Sequence, residues 1–378
     1  MNPNKRTGFR VVGKGAIYLL LVLVCAFVII EGVSSGALFV VRILSTRRLA
    51  ETLHTRYDEL LGWVNIPNLY VKNMYGPGVF FRTNSQSFRN DKDFSVHVPN
   101  GKLRVICSGD SFTLGYGVDN DHTWCQFLAS CDERLETVNM GQGGYGIDQM
   151  YLWYMRDGIQ LDHNIHILAF ITEDVVRMTD NSLFGYGKPV LQLKDGTITV
   201  ENVPVPRRAY YVPWLVGTLA AIKELNSIKL VSVLSYPKSS RKNLEDDSLA
   251  AKRALEIALR LFELLRQQNE ERNSTFVVVY LPTKMDYDPN TLSRLREFLS
   301  AQLSNRGVKF IDLVSEFRKL PRNEVDGLFI SGEDLAYLNA AGHYSVKGNQ
   351  YIARVIYSKL LSIPEIAENL SKTSRHQT

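Results

Sequence analysis

Cysteine is scarce and unpatterned. The 378 residues hold four, Cys25, Cys107, Cys125 and Cys131, with no CxxC and no metal-ligand spacing. That excludes a disulfide scaffold and a zinc site of the usual kind. No Lys/Arg-rich run occurs, and 44 basic against 39 acidic residues leave a formal net charge of only +5. Nucleic acid is therefore not an expected partner. Internal repeats and low-complexity tracts are also missing. No glycine-rich loop carries the Walker lysine, so a nucleotide phosphate cradle is not expected, nor is any cofactor or metal. At 45% hydrophobic and 22% charged residues, the chain has the composition of a folded globular protein.

One stretch is not globular. Ala16 to Ile30 is apolar without a break, and the run resumes after Glu31-Gly32 as far as Val41. A bilayer needs about 20 such residues. Lys5, Arg6, Arg10 and Lys14 precede the run, which favours a cytoplasmic N-terminus over residues 1–15. The expectation is a single-pass anchor over 16–41, with the rest of the chain on the extracytoplasmic side. A signal peptide cut near Ser34-Ser35-Gly36 and a buried core helix are the alternatives.

Residues 42–100 read as an irregular lead-in, including Leu61-Gly62-Trp63 and Asn84-Ser85-Gln86-Ser87-Phe88-Arg89. Over 101–364 the pattern changes. Apolar runs of strand length, Leu103–Cys107, Thr137–Met140, His166–Ile171, Phe276–Leu281 and Val308–Leu313, alternate with helical stretches. Ser248–Gln268, Leu292–Leu303 and Ser345–Leu361 carry apolar residues at helical spacing, the last of these closing the fold before a tail over 365–378. Short apolar strands alternating with helices predict a three-layer α/β/α fold around a central parallel sheet of about five strands. Residues from about 174 to 240 read as an insertion, with a hairpin at Lys194-Asp195-Gly196.

In such sheets the ligand crevice opens at the carboxyl ends of the strands. Three motifs fall there. The first strand runs into Gly109-Asp110-Ser111 and a helix. A serine at that turn is either an N-cap or a nucleophile whose own amide helps to hold an oxyanion. The second strand ends in Gly141-Gln142-Gly143-Gly144-Tyr145-Gly146, a loop that is either a permissive turn or a source of a further amide donor. Gly342-His343-Tyr344-Ser345-Val346-Lys347-Gly348-Asn349 precedes the last predicted helix. A neutral imidazole at His343 is able to take a proton from Ser111.

The order of these motifs, strand–GDS–helix, glycine loop and late GHxSxxGN, resembles the SGNH/GDSL hydrolase family from about Leu103 to Leu361. The Asn84–Arg89 stretch looks like the lead-in of its membrane-anchored members. The resemblance implies a flavodoxin-like sheet, Ser111 as nucleophile, His343 as base, and Gly144 beside the Ser111 amide as oxyanion donor. It also implies an acylated carbohydrate or lipid ester as substrate. Two positions depart from the pattern. The family places an Asp three residues before the His, where this chain has Ala340; it places an Asn-Asp pair after the third strand, where this chain has Glu173-Asp174. Asp326, Glu333 and Asp334 are candidates to replace the missing acid, and a Ser–His dyad oriented by a backbone carbonyl is the alternative. An ionised Glu173 would oppose an oxyanion, whereas a protonated one in a dry pocket would donate to it. Three functions stay open: an esterase or deacetylase, an O-acyltransferase with the same residues, and a catalytically silent binding or assembly module for surface polysaccharide.

Trp124, Trp153, Trp214, Tyr145, Tyr186, Tyr210 and Tyr211 are either packing residues or a platform for sugar rings. Arg177 reads as an ion-pair partner rather than a substrate clamp.

Overall fold

A computed structural model describes residues 4–44, 54–183, 186–206, 249–288, 293–332 and 337–375. The described residues divide into two units, one holding the N-terminal helix and the other the remainder. Asp334, Glu333, Tyr210, Tyr211 and Trp214 lie outside the described residues, as does most of the predicted insertion.

The N-terminal helix spans Asn4–Leu44, longer at both ends than the predicted anchor. Its stretch Ile17–Gly36 is long and apolar enough to cross a membrane, and none of it is buried. Twenty residues at 1.5 Å rise reach about 30 Å, the thickness of a hydrocarbon core. The core-helix alternative is overturned, because a core helix buries its apolar face.

In the other unit five strands form one parallel sheet: β1 (Leu103–Gly109), β2 (Leu135–Gly141), β3 (Ile165–Phe170), β4 (Thr275–Tyr280) and β5 (Lys309–Asp312). Their spatial order is β5-β4-β3-β1-β2, all pairs parallel. This is the flavodoxin-like order, whose switch point lies between β1 and β3. Alternate side chains enter opposite layers, as a period of two requires. Ile106, Leu168, Phe170, Val278 and Tyr280 pack with α3 (Ile147–Arg156), α5 (Leu249–Glu270) and α6 (Ser293–Asn305). Val105, Cys107, Ile167, Ala169 and Val279 pack on the other side with α2 (Trp124–Cys131) and α7 (Val346–Leu361). A further helix, α8 (Pro364–Arg375), joins this second layer through buried Ile366 and Leu370. This segment, expected as a tail, is helical and packed; its signal is weak because only Ile366 and Leu370 carry the inward face.

The lead-in is not irregular. It holds two hairpins, Thr55–Asp58 with Gly62–Asn65 and Tyr70–Gly76 with Val79–Arg82. Beyond them the chain runs along the free edge of β2. The Arg89 amide donates to Asn139 O (3.0 Å), the Asn139 amide to Asn90 Oδ1 (2.9 Å) and Asn90 Nδ2 to Thr137 O (3.1 Å). A covered edge cannot pair with another chain. The hairpin at Asp195-Gly196 forms as expected, with both residues at positive φ.

Candidate active site

Ser111 opens a single helical turn, α1 (Ser111–Leu114), directly after β1. Asp110 is its N-cap, and Asp110 Oδ1 accepts from the Phe112 amide at 2.8 Å. The cap at this turn is thus the aspartate, which leaves the serine hydroxyl for other work. Asn139, pointing from β2, holds both sides of the site. Its Nδ2 donates to Thr113 O and its Oδ1 accepts from the Gly141 amide, each at 2.9 Å. Gly141 must be glycine, since a Cβ there would lie 2.0 Å from the Leu114 nitrogen. At the far end of α1, the buried Arg89 donates to the carbonyls of Leu114, Gly115 and Val118 and to Asn120 Oδ1.

The glycine loop is buttressed by the lead-in. Trp63 Nε1 donates to Gly143 O (2.9 Å) and Gln142 Nε2 to Asn65 Oδ1 (3.0 Å). Gly144 sits at φ +77, where any other residue would be strained. Among the described residues, neither the Ser111 amide nor the Gly144 amide has a hydrogen-bond acceptor. Nothing in the sequence pattern points to Trp63 or Asn65, because their partners lie about 80 residues away.

His343 meets Ser111 across 232 residues, with Nε2 2.7 Å from Ser111 Oγ. Its backbone is pinned on both sides: the His343 amide donates to Ala340 O (3.1 Å), and the Ile330 amide donates to His343 O (2.8 Å). The rest of the GHxSxxGN motif explains the placement. Ser345 caps α7 by accepting from the Gly348 amide at 3.1 Å. Asn349 Oδ1 accepts from the Trp124 amide, and its Nδ2 donates back to Tyr344 O. The imidazole lies between the rings of Phe112 and Tyr116, 4.5 and 5.2 Å away between centroids. Burial, with the Arg177 charge second, pulls its pKa down to about 4, while nearby carbonyls of residues 339–341 push the other way. At neutral pH the ring is uncharged and able to accept a proton. Its Nδ1 is buried and makes no hydrogen bond to another described residue.

No carboxylate among the described residues serves that nitrogen. Asp326 instead pairs with Lys284 at 2.7 Å on the surface. Glu173 is exposed on the first turn of α4 (Thr172–Arg177), and water screens its charge. Its neighbour Asp174 is the residue turned inward, where its Oδ2 accepts from the Ile171 amide at 3.0 Å.

Arg177 joins these parts. Its Nη1 donates to Asp110 Oδ2 (3.4 Å), to Tyr145 O (3.2 Å) and to Asp174 Oδ1. Burial pushes both aspartates upward in pKa, and for Asp174 the repulsion of Asp110 adds to it. Behind the cluster, Lys188 Nζ donates to Asp148 Oδ2 (2.6 Å) and to Arg177 O (2.7 Å), a buried pair. The ion-pair expectation for Arg177 covers only part of this arrangement. The Asp110 contact has no local sequence signal, since 67 residues separate the partners.

Trp124, Trp153 and Tyr145 are buried, so they are packing residues and present no platform to a sugar. The four cysteines are free. No cluster of metal-ligand type occurs among the described residues.

No family model and no curated protein matches the sequence. Solved structures do. One is a member of the lipolytic G-D-S-L family from Veillonella parvula (14% identity, TM-score 0.35, 69% of this chain and 97% of that one). Another is an acetyl xylan esterase (13%, 0.39, 68% and 99%). A third is a variant of an acetyl-xylooligosaccharide esterase from Geobacillus stearmophilus (13%, 0.37, 71% and 95%). Likeness at this level assigns no activity, and the chemistry is argued from the site itself.

Proposed function

We propose that this chain is a serine ester hydrolase of the SGNH type, tethered by its N-terminal helix and acting outside the cytoplasm on an O-acylated glycan. The observation that carries this reading is the 2.7 Å contact between Ser111 Oγ and His343 Nε2. A buried serine and a neutral imidazole at that distance form a nucleophile and its base. Ser111 Oγ attacks the ester carbonyl as its proton passes to His343. The carbonyl oxygen takes the negative charge, facing the two open amides of Ser111 and Gly144. Collapse expels the sugar alkoxide, which takes the proton from His343. Water, activated by the same imidazole, then releases the acid and restores the serine. The glycan preference rests on the motif resemblance alone.

The full chain in detergent tests this reading against a chromogenic acetyl ester and a serine-directed fluorophosphonate. We expect labelling at Ser111 and turnover, with kcat reduced about 10⁴-fold in Ser111→Ala and in His343→Ala. Folded wild-type protein that neither turns over the ester nor takes the label would make the domain a silent binding module. That second reading is favoured by one observation: among the described residues no carboxylate meets Nδ1 of His343. Acetyl recovered on a sugar acceptor in place of free acetate would make it a transferase.

A further inference from the structure

All three hydrogen bonds of Arg177 leave from one nitrogen, Nη1. Among the described residues, Nη2 and Nε have no acceptor. The side chain keeps 22% of its surface exposed, while Asp110 and Asp174 beneath it keep none. One edge of the guanidinium fork is thus held by the protein and the other is open. A residue serving only to neutralise two buried carboxylates would gain most by turning both edges to them.

The guanidinium lies beside the reacting atoms. Arg177 Nη1 and Ser111 Oγ are each 3.4 Å from the same oxygen, Asp110 Oδ2. The single hydroxyl proton of Ser111 belongs to the shorter contact with His343, so Asp110 is a neighbour that both groups share. Nη1 also holds the carbonyl of Tyr145, the residue after the open Gly144 amide. The guanidinium is close enough to His343 for its charge to suppress protonation of that ring. Lys188 fixes the Arg177 backbone from behind.

We infer that Arg177 is a catalytic residue, the third and only charged donor of the oxyanion hole, offering its Nη2–Nε edge to the oxygen that becomes negative. The inference rests on the ester-cleavage reading above. As the Ser111 Oγ–carbon bond forms, the carbonyl π pair moves onto oxygen, and that charge faces two neutral amides and one cation. Collapse returns the pair to the carbonyl and releases the alkoxide with the His343 proton, so Arg177 neither gains nor loses a proton. Glu173, exposed on the same helix one turn earlier, does not compete for this place.

The test measures kcat and KM for a neutral acetyl ester, and the rate of fluorophosphonate labelling, in Arg177→Met and Arg177→Lys. In Arg177→Met we expect kcat to fall about 100-fold with KM within threefold, and labelling to slow by a similar factor, because the phosphonyl oxygen mimics the oxyanion. The acid limb of kcat/KM should also move upward, since the charge that disfavours His343 protonation is gone. If the Met variant does not fold, Arg177→Lys decides. It keeps a charge for Asp174 but has no second edge to extend, so kcat should still fall at least tenfold at unchanged KM. Wild-type kcat in a folded variant, or a loss that appears only in KM, would overturn the inference and leave the ester-cleavage reading standing. A wild-type chain without turnover would overturn both.

Discussion

The two halves of the site are held in different ways. Around the nucleophile, the supporting side chains are hydrogen-bonded: Asp110 and Asn139 hold backbone groups of the turn, and Arg89 holds three carbonyls and Asn120. Around the base, only the backbone is pinned. The His343 ring is held by two aromatic neighbours and by Ser111, backbone carbonyls of residues 339–341 are the remaining polar groups near it, and Nδ1 makes no hydrogen bond to another described residue. The difference separates two requirements that a complete triad meets together. Placing an imidazole needs packing and main-chain hydrogen bonds. Making it a strong base needs something opposite its second nitrogen, and here the apolar residue Ala340 stands at the usual position. The nucleophile half is built for both position and charge, the base half for position alone.

Removing the main support of the better-held half should have the largest effect on the fold. Arg89 is a buried cation with no carboxylate in direct contact, balanced by three carbonyls and an amide oxygen, with Phe81 4.9 Å from its charge. Burial pulls its pKa below the ordinary arginine value, though it stays charged. Arg89→Met would leave those carbonyls dry and unpaired. We expect a loss of about 3 kcal/mol of stability, read from denaturant unfolding. In the fraction that stays folded, kcat should fall more than KM rises, because α1 loses its C-terminal support. An unfolding midpoint within error of wild type would show that the Arg89 bonds are dispensable.

Completing the weaker half should narrow the contrast. Ala340→Asp places a carboxylate three residues before His343, in the pocket of Met74, Tyr75, Leu114, Tyr116 and Tyr337. The base works in its neutral form, so activity is lost as pH falls through its pKa. With the ring pulled down to about 4, the wild-type acid limb is expected near that pH. A carboxylate hydrogen-bonded to Nδ1–H favours the charged ring, so the limb should climb towards the ordinary histidine value of about 6.5. With a stronger base, kcat at pH 8 should rise about tenfold. A kcat/KM profile whose limb stays near 4 would show that the new carboxylate does not reach the ring. Stability carries the opposite half of the linkage. The depressed folded-state values of His343 and of His54, the latter about 3, mean that their contribution to stability is fully present above about 6.5 and is lost as pH falls towards those values.

What could be read from the sequence follows the same division. Each strand of the sheet announced itself as an apolar run between helices, because a strand buried on both faces needs no partner to look like one. The glycine loop and the GHxSxxGN segment are local motifs, so their residues could be placed at strand ends without knowing what they touch. The order of the lead-in leaves little local signal because it comes from distant contacts, such as Trp63 with Gly143 and Asn90 with Asn139. Asp110 looked like part of a short motif around a serine, and its shared role with Arg177 depends on two strand ends meeting at the switch point. Ala340 was legible as a departure from the family pattern. Its consequence, an imidazole buried with one nitrogen unmet, depends on how closely Phe112 and Tyr116 enclose the ring.

Glu173 gives the finest probe of the comparison, because sequence and structure predict different outcomes for the same substitution. By position it stands where a side-chain amide would support the oxyanion, and an ionised carboxylate there would oppose the reaction. Glu173→Gln would on that view raise the rate by an order of magnitude or more. The structure turns this side chain to water, where a charge acts through a high dielectric and a screening length of about 8 Å at physiological salt. The inward-facing neighbour is Asp174, already bound to Arg177 and the Ile171 amide. We therefore expect Glu173→Gln to change kcat less than threefold at physiological salt, with a modest rise at low ionic strength as screening weakens. A gain of tenfold or more, insensitive to salt, would mean that the carboxylate turns inward during turnover. The nucleophile half would then carry an unpaired charge of its own, and the contrast with the base half would fail.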